Sequence, residues 1–503
     1  MSFTSRVAAA IVLLLASTSL AGAAATLTVS PSVGPPTTST KATIAGFTPG
    51  KVVDVYFDST AKCLMLPDGN GAGSCTFKVP ADARSTVHWI SAVERATAAG
   101  VQKSFIVRTD WPNAHGYNER QDGFARYENT LNRVNVGYLA QLWATGNTIA
   151  STAATPIVYR GRIYIGSQDG KLHARDEATG TAASGWPKVL GGIIGQSSPV
   201  AANGIVYQMS QLSAGTAGYL HAYDVTTGAI RSGFPVFVEG VVRGAPIVVG
   251  GVVYLASSNG KIYGFDAAAG TARPGYPITV SGAPMLRGTP AYFDGYIYVG
   301  ADDGHLYIYD VGTRSLIASI PASGAFGTSS PAISGGMLYY HSQSEHKLNA
   351  FDIYTESLGW PAPYVMAAGA AGTPAATADK VFIATADGIV HAVDAASGVK
   401  IWTRQFSGNP FYGSPVVANG VVYVASTKQI FALDASTGGL LWRTSGNFYQ
   451  NQGLVVTNGR LYAPTWAGRL TAFAVDGAAE GAARAIARPS LASLKPPKGA
   501  GGR

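Results

Sequence analysis

Residues 414–442 read SPVVANGVVYVASTKQIFALDASTGGLLW. The stretch divides into strand-length, β-rich pieces. PVVAN, VVYVAS and QIFALD are separated by turn signals, first Asn-Gly and then a short polar turn. Ser-Thr-Gly follows, and GLLWRT makes a fourth strand. Val, Ile, Tyr and Phe suit a pleated, packed surface, while Asn-Gly favours a tight hairpin. Four short antiparallel strands in about 40 residues describe one blade of a propeller.

The unit recurs. A Pro opens it at Pro156, Pro199, Pro246, Pro290, Pro331, Pro374 and Pro415, and Leu454 takes that place in the last copy. Eight residues later stands an aromatic: Tyr164, Tyr207, Tyr254, Tyr298, Tyr339, Phe382, Tyr423 and Tyr462. The offset holds although the units vary from 39 to 47 residues. A third strand then ends at Asp176, Asp224, Asp266, Asp310, Asp352, Asp394 and Asp434, with Ala474 in the eighth unit. A residue kept in one slot copy after copy serves the turn that follows it.

Closure gives a second criterion. The eighth unit lacks the apolar-Trp strand, and a spare one, LAQLWATG around Trp143, precedes the first unit. A ring in which that strand completes the last blade leaves no open sheet edge there. The expected fold is therefore all-β: an eight-bladed β-propeller closed by an N-terminal strand and preceded by a small β-sandwich.

The rest of the chain frames this body. Of 503 residues, 47% are apolar and 13% charged, which suits a packed protein rather than a disordered one. Residues 1–25 read as a secretory signal peptide, with Arg6 before the apolar run Val7 to Leu20 and small residues after it. No later run is long enough to span a bilayer as a helix. The expectation is an exported, periplasmic or extracellular monomer. Residues 26–107 alternate apolar and polar between Pro and Gly turns, as an Ig-like β-sandwich does. They hold both cysteines, Cys63 and Cys75, which an oxidising compartment would join, the alternative being two buried thiols. Residues 108–477 form the propeller, with 108–150 as lead-in and closing strand. The formal charge of +8 sits partly in a tail, 478–503, with Arg484, Arg488, Lys495, Lys498 and Arg503 against Glu480. It reads as a solvated, disordered end, with no specific nucleic-acid site.

DAASGVKIW at 394–402 and DASTGGLLW at 434–442 resemble the repeat of pyrroloquinoline quinone (PQQ)-type propellers. In that pattern Asp-Ala-x-[Ser/Thr]-Gly-x-x-x-Trp places a Trp between blades, which implies structural roles for Trp143, Trp402 and Trp442. Looser copies carry GWP at 185–187, GFP at 233–235, GYP at 275–277 and GWP at 359–361. The resemblance runs from Asp110 to Gly477, and residues 26–107 are similar to IPT/TIG-type modules. The superfamily holds quinone-dependent alcohol and sugar dehydrogenases. It also holds cofactor-free scaffolds, among them an outer-membrane protein-assembly lipoprotein.

The site must decide between these classes. The dehydrogenases commonly use an adjacent Cys pair and a Glu/Asn/Asp calcium set, and neither pattern stands in these repeats. His173, His221 and His391 share one slot, but on different blades, so convergence on a metal ion is not expected. His341 and His346 read as exposed, without partners. One slot varies instead, three residues before the opening Pro. It holds Ala153, Gln196, Arg243, Arg287, Thr328, Ala371, Tyr412 and Asn451. These should rim one mouth of the channel, where Arg243 and Arg287 on neighbouring blades suit a carboxylate or other anion. The expected function is a non-catalytic binding scaffold for a protein, glycan or envelope ligand, without cofactor, its ligand-binding residues Gln196, Arg243, Arg287, Thr328, Tyr412 and Asn451. The alternative is a PQQ- and calcium-dependent dehydrogenase with a divergent site.

Overall fold

The computed structural model describes residues 24–116, 118–146, 149–150, 154–213, 215–282, 284–322, 324–444, 453–475 and 486–494. Residues 1–23 of the expected signal peptide, and Ala153 and Asn451 of the variable slot, lie outside them.

The quoted stretch folds as it reads. Val416–Ala418, Val421–Ala425, Ile430–Asp434 and Leu440–Arg443 pair in chain order as one antiparallel sheet. Asn419 and Gly420 take positive φ at the first hairpin, the conformation its tight turn requires. The second strand, VVYVA, is buried throughout, so it is continuously apolar rather than alternating. Asp434 Oδ1 accepts the backbone N–H of Ser436 (2.8 Å) and Thr437 (3.0 Å). Asp176, Asp224, Asp266, Asp310, Asp352 and Asp394 accept the same two N–H groups in their own turns. The repeated carboxylate is an Asx cap and is committed there.

Eight such sheets follow one another from Ile157 to Val475. Seven draw all their strands from consecutive chain. The eighth takes Val455–Thr457, Arg460–Pro464 and Leu470–Val475, and its fourth strand is Leu139–Ala144 from before the first sheet. The first strand of the eighth sheet also touches that of the first. The architecture is that of a β-propeller.

Aromatic side chains join neighbouring sheets. Trp402 Nε1 donates to the Ala435 carbonyl (3.1 Å) and Trp442 Nε1 to that of Leu139 (2.9 Å). Trp360, from a Gly-Trp-Pro sequence, donates to the Ala395 carbonyl (2.9 Å). Tyr276, from Gly-Tyr-Pro, reaches the Val311 carbonyl (3.4 Å). The looser repeats thus dock an aromatic on the next sheet just as the Trp-bearing ones do.

The lead-in has more structure than its sequence suggests. It runs round the inside of the ring as a belt. Trp111 exchanges backbone hydrogen bonds with Val158, and the Pro112 carbonyl accepts Ala201 N–H. The carbonyls of Glu119, Arg120, Asp122 and Gly123 accept the N–H groups of Tyr292, Ile333, Ala376 and Val417. Glu128 Oε2 accepts Gly459 N–H (2.9 Å), and Thr109 N–H donates to Asn458 Oδ1 (2.8 Å). Among the described residues, every sheet but the third bonds to this one segment.

Two sheets precede the ring. Thr26–Ser30, Ser39–Ala45 and Gly73–Lys78 form one. Val33–Gly34, Gly100–Val107, Val87–Glu94, Val53–Phe57 and Thr60–Met65 form the other. Leu27, Ile44 and Phe77 of the first share an apolar cluster with Val55, Ile90 and Phe105 of the second. Cys63 and Cys75 are joined in a disulfide that ties the two sheets. Part of the tail read as solvated is packed: residues 486–494 lie on the second sheet, where Leu494 is buried. Its Leu residues have an apolar face to cover, which the sequence did not reveal.

Candidate functional site

Where the lead-in belt crosses the channel, Ala114 and His115 floor a cavity of about 150 Å³. Its wall includes Thr155, Ser198, Thr289, Ser330, Thr373 and Ser414, the residues immediately before the opening Pro of their units. Gln196, Arg243, Arg287 and Thr328 of the variable slot line its mouth, beside the half-exposed Trp466. Four of the six expected ligand-binding residues therefore meet in one place. Tyr412 is exposed but does not line the cavity. Asn451 lies outside the described residues.

The two arginines differ. Arg287 Nε lies 2.7 Å from Asp302 Oδ2, and Asp302 Oδ1 accepts Gly327 N–H (3.2 Å). That guanidinium is largely neutralised by a carboxylate itself fixed to the backbone. Arg243 is exposed and has no hydrogen-bond or ion-pair partner among the described residues. The uncommitted positive charge at this mouth is therefore that of Arg243.

The hydroxyl wall is a feature that sequence reading missed. Gly453 N–H donates to Thr155 Oγ1 (3.2 Å), and Thr155 N–H to Ser198 Oγ (2.8 Å). Ala245 N–H donates to Thr289 Oγ1 (2.9 Å), Thr289 N–H to Ser330 Oγ (2.8 Å), and Ser330 N–H to Thr373 Oγ1 (3.2 Å). Thr373 N–H donates to Ser414 Oγ (2.9 Å). Each hydroxyl satisfies an inner N–H of the preceding sheet, so the ring is laced from blade to blade. The relay breaks where Ala245 and Gly453 lack a hydroxyl, and Ser197 Oγ bridges the first break by donating to the Gly244 carbonyl (2.9 Å). The signal was present in sequence as Ser/Thr-Pro at six unit starts.

The histidines serve separate local bonds. His173, His221 and His391 face Ser167 Oγ (3.2 Å), Ser210 Oγ (2.9 Å) and Thr385 Oγ1 (3.3 Å) within their own sheets. His115 Nε2 donates to the Pro374 carbonyl (3.3 Å), and burial pulls its pKa down to about 4, so it stands neutral at the cavity floor. His341, expected to be exposed, is fully buried and bonds the Gly372 carbonyl (2.8 Å). Its strand lies inside its sheet, which local sequence does not disclose.

Two larger cavities lie between the N-terminal sheets and the ring, of about 820 Å³ beside His88 and Asn458 and about 480 Å³ beside Arg160 and Glu177. Neither includes a residue of the variable slot.

The family model described as outer membrane protein assembly factor BamB matches residues 181–273, 279–414 and 344–493, more than half of the chain. The chain belongs to this family. No curated protein sequence matches it. Among solved structures, BamB from Moraxella catarrhalis superposes with a TM-score of 0.53 at 19% identity, over 67% of this chain and 99% of that one. A europium-containing methanol dehydrogenase gives 0.55 at 12% identity, over 77% and 94%. The computationally designed Ika8 protein gives 0.54 at 15% identity, over 67% and 99%. At these identities the likeness concerns the fold, which BamB, a methanol dehydrogenase and a designed protein share.

The residues at the channel mouth do not fit a calcium-bound quinone. No Asp or Glu lines the cavity, and Asp302 beside it is tied to Arg287. A calcium ion takes six to eight oxygen ligands, commonly including carboxylates. Here the wall hydroxyls already accept backbone N–H groups, and the uncommitted Arg243 guanidinium stands at the opening. Among the described residues, no group of three or more His, Cys, Asp or Glu is arranged to hold a metal ion. No helix of the described residues is long and apolar enough to cross a membrane.

Proposed function

We propose that this member of the BamB family is an exported, non-catalytic binding protein. Its eight-bladed propeller, closed by the strand around Trp143, carries the site. An Ig-like sandwich, residues 26–107, stands before it as spacer or second contact. The ligand is an envelope protein or glycan that offers a carboxylate to the channel mouth. The observation that carries this reading is Arg243, uncommitted beside a hydroxyl-lined cavity, with Gln196 and Thr328 as neighbouring donors. Charge-assisted hydrogen bonds from a guanidinium contribute about 1.5–3 kcal/mol each.

Calorimetric titration with citrate and with an acidic hexapeptide tests the reading. Saturable binding that weakens roughly 10- to 100-fold in Arg243→Ala is expected from that bond energy. Absence of binding to either probe, or affinity unchanged in Arg243→Ala, would sink it. Mixing the protein with PQQ and calcium tests the dehydrogenase alternative. A quinone absorbance change together with dye reduction by an alcohol or sugar would overturn the non-catalytic assignment.

A further inference from the structure

The second N-terminal sheet turns one face inward to the shared apolar cluster. Its other face carries Tyr56, Trp89, Ser91, Val93 and Gln102, by the alternation of the strands Val53–Phe57, Val87–Glu94 and Gly100–Val107. A solvent-facing sheet surface is normally polar. Here Tyr56 is 1% exposed, Ser91 0% and Val93 4%. Residues 486–494 contribute to that cover.

The contact is built at several points. Ile486 N–H donates to the Val87 carbonyl (2.9 Å), and Trp89 Nε1 donates to the Ile486 carbonyl (2.9 Å). The Arg488 guanidinium sits over the Trp89 ring, 5.2 Å from its centre, and its Nε donates to Gln102 Oε1. Gln102 Nε2 donates to the Pro489 carbonyl (2.8 Å) and to Ser91 Oγ (2.9 Å). A short 3-10 turn, Leu491–Ser493, capped by Ser490, then brings Leu491 and Leu494 onto Tyr56 and Val93. The segment is thus held by one cation–π contact, hydrogen bonds from the Gln102 amide and the Trp89 indole to its backbone carbonyls, and two apolar anchors.

We propose that this face of the N-terminal module is a peptide-binding site and that residues 486–494 are its intramolecular ligand. The segment is joined to the last strand of the ring, which ends at Val475. Docking therefore straps the module to the propeller from both ends of the chain, through Val107 and through the tail. The short tether keeps the segment at an effective concentration of roughly millimolar, so a modest intrinsic affinity suffices to hold it.

Two measurements test this. In a chain truncated after Ala485, a labelled peptide of residues 484–496 is expected to bind saturably. It should bind the full-length chain at least tenfold more weakly, because the tethered copy competes. A peptide carrying Leu491→Asp and Leu494→Asp should not bind. No binding to a truncated chain that still unfolds cooperatively, or equal binding to both chains, overturns the proposal. If the truncated chain does not fold, hydrogen exchange on the full-length protein decides. Exchange across residues 486–494 should be slowed at least tenfold relative to the free peptide, and Trp89→Ala should restore the free rate. Free-peptide exchange in the unaltered chain overturns the proposal.

Discussion

Trp143, on the strand that completes the eighth sheet, lies across Gly180 in the turn of the first. A Cβ on Gly180 would stand 2.5 Å from Trp143 Cε3. Gly180 also takes φ of +71°, a conformation that other residues rarely adopt. The contact joins residues 139–144 to both ends of the ring. Trp143→Ala should therefore cost about 2–4 kcal/mol in denaturant unfolding, a little under the roughly 3–5 kcal/mol of a fully buried large aromatic because Trp143 is half-buried. Gly180→Ala should also destabilise, from both the close approach and the φ. Unchanged midpoints in both variants would refute a closing role for this pair.

The hydroxyl ring makes a different prediction. Thr373 Oγ1 accepts Ser330 N–H, both residues being buried. Thr373→Val keeps the shape and strands that N–H, an expected loss of about 1–3 kcal/mol. Thr377→Val, at a turn of the same sheet outside the cavity lining, should cost less. Urea denaturation compares the two.

Arg243 and Arg287 should separate in experiment. Arg287→Ala releases Asp302, which holds Gly327 N–H, and is expected to lower stability by about 1 kcal/mol as well as alter binding. Arg243→Ala, with no partner among the described residues to lose, should leave the melting temperature within a degree or so while weakening anion binding. Thermal melts beside citrate titrations read both effects.

Stability should fall with acid. Burial pulls His115, His173, His221 and His391 down to about 4, below the ordinary value of 6.5. Between those limits the unfolded chain binds protons that the folded chain refuses. Each histidine then removes up to about 1.4 kcal/mol per pH unit as pH drops through that window. Asp110 and Asp122, pushed up to about 6 by burial, take up protons in the folded state over part of the same range and oppose the trend. Burial lowers His341 likewise and raises Glu128 likewise, so five groups stand against three, a net loss on acidification. His221→Gln should flatten the slope of unfolding free energy between pH 6.5 and 4.5, and an unaltered slope would refute the assignment.

Reduction of Cys63–Cys75 tests the N-terminal module separately. The bridge closes a loop of sequence separation 12 and links the two sheets. Cys63→Ser with Cys75→Ser should cost about 2–3 kcal/mol, observed as a lower unfolding midpoint of the N-terminal module.

Much of the architecture was legible because repetition is a local property repeated. The Pro-to-aromatic offset, the turn Asp and the spare strand at Trp143 each follow from one unit's own strands and turns. The variable slot was legible for the same reason, since disagreement shows only against a constant background. The hydroxyl ring was written as Ser/Thr before Pro, but its meaning lies in a bond to the neighbouring sheet, which no single unit contains. The neutralisation of Arg287 by Asp302 was hidden likewise, because the pair lies across a loop and adjacent charges in space need not be adjacent in sequence.

The sequence by itself determined an all-β chain built from a repeating four-stranded unit, as a β-propeller is. Both are consequences of strand periodicity and turn chemistry, which act over a few residues. Only the tertiary structure decided that the lead-in threads the channel and floors the cavity, and that Arg243 rather than Arg287 carries the uncommitted charge. It also brought the last residues back to the first module. These depend on contacts between segments up to hundreds of residues apart, where backbone carbonyls, buried faces and paired charges find partners that local sequence does not specify.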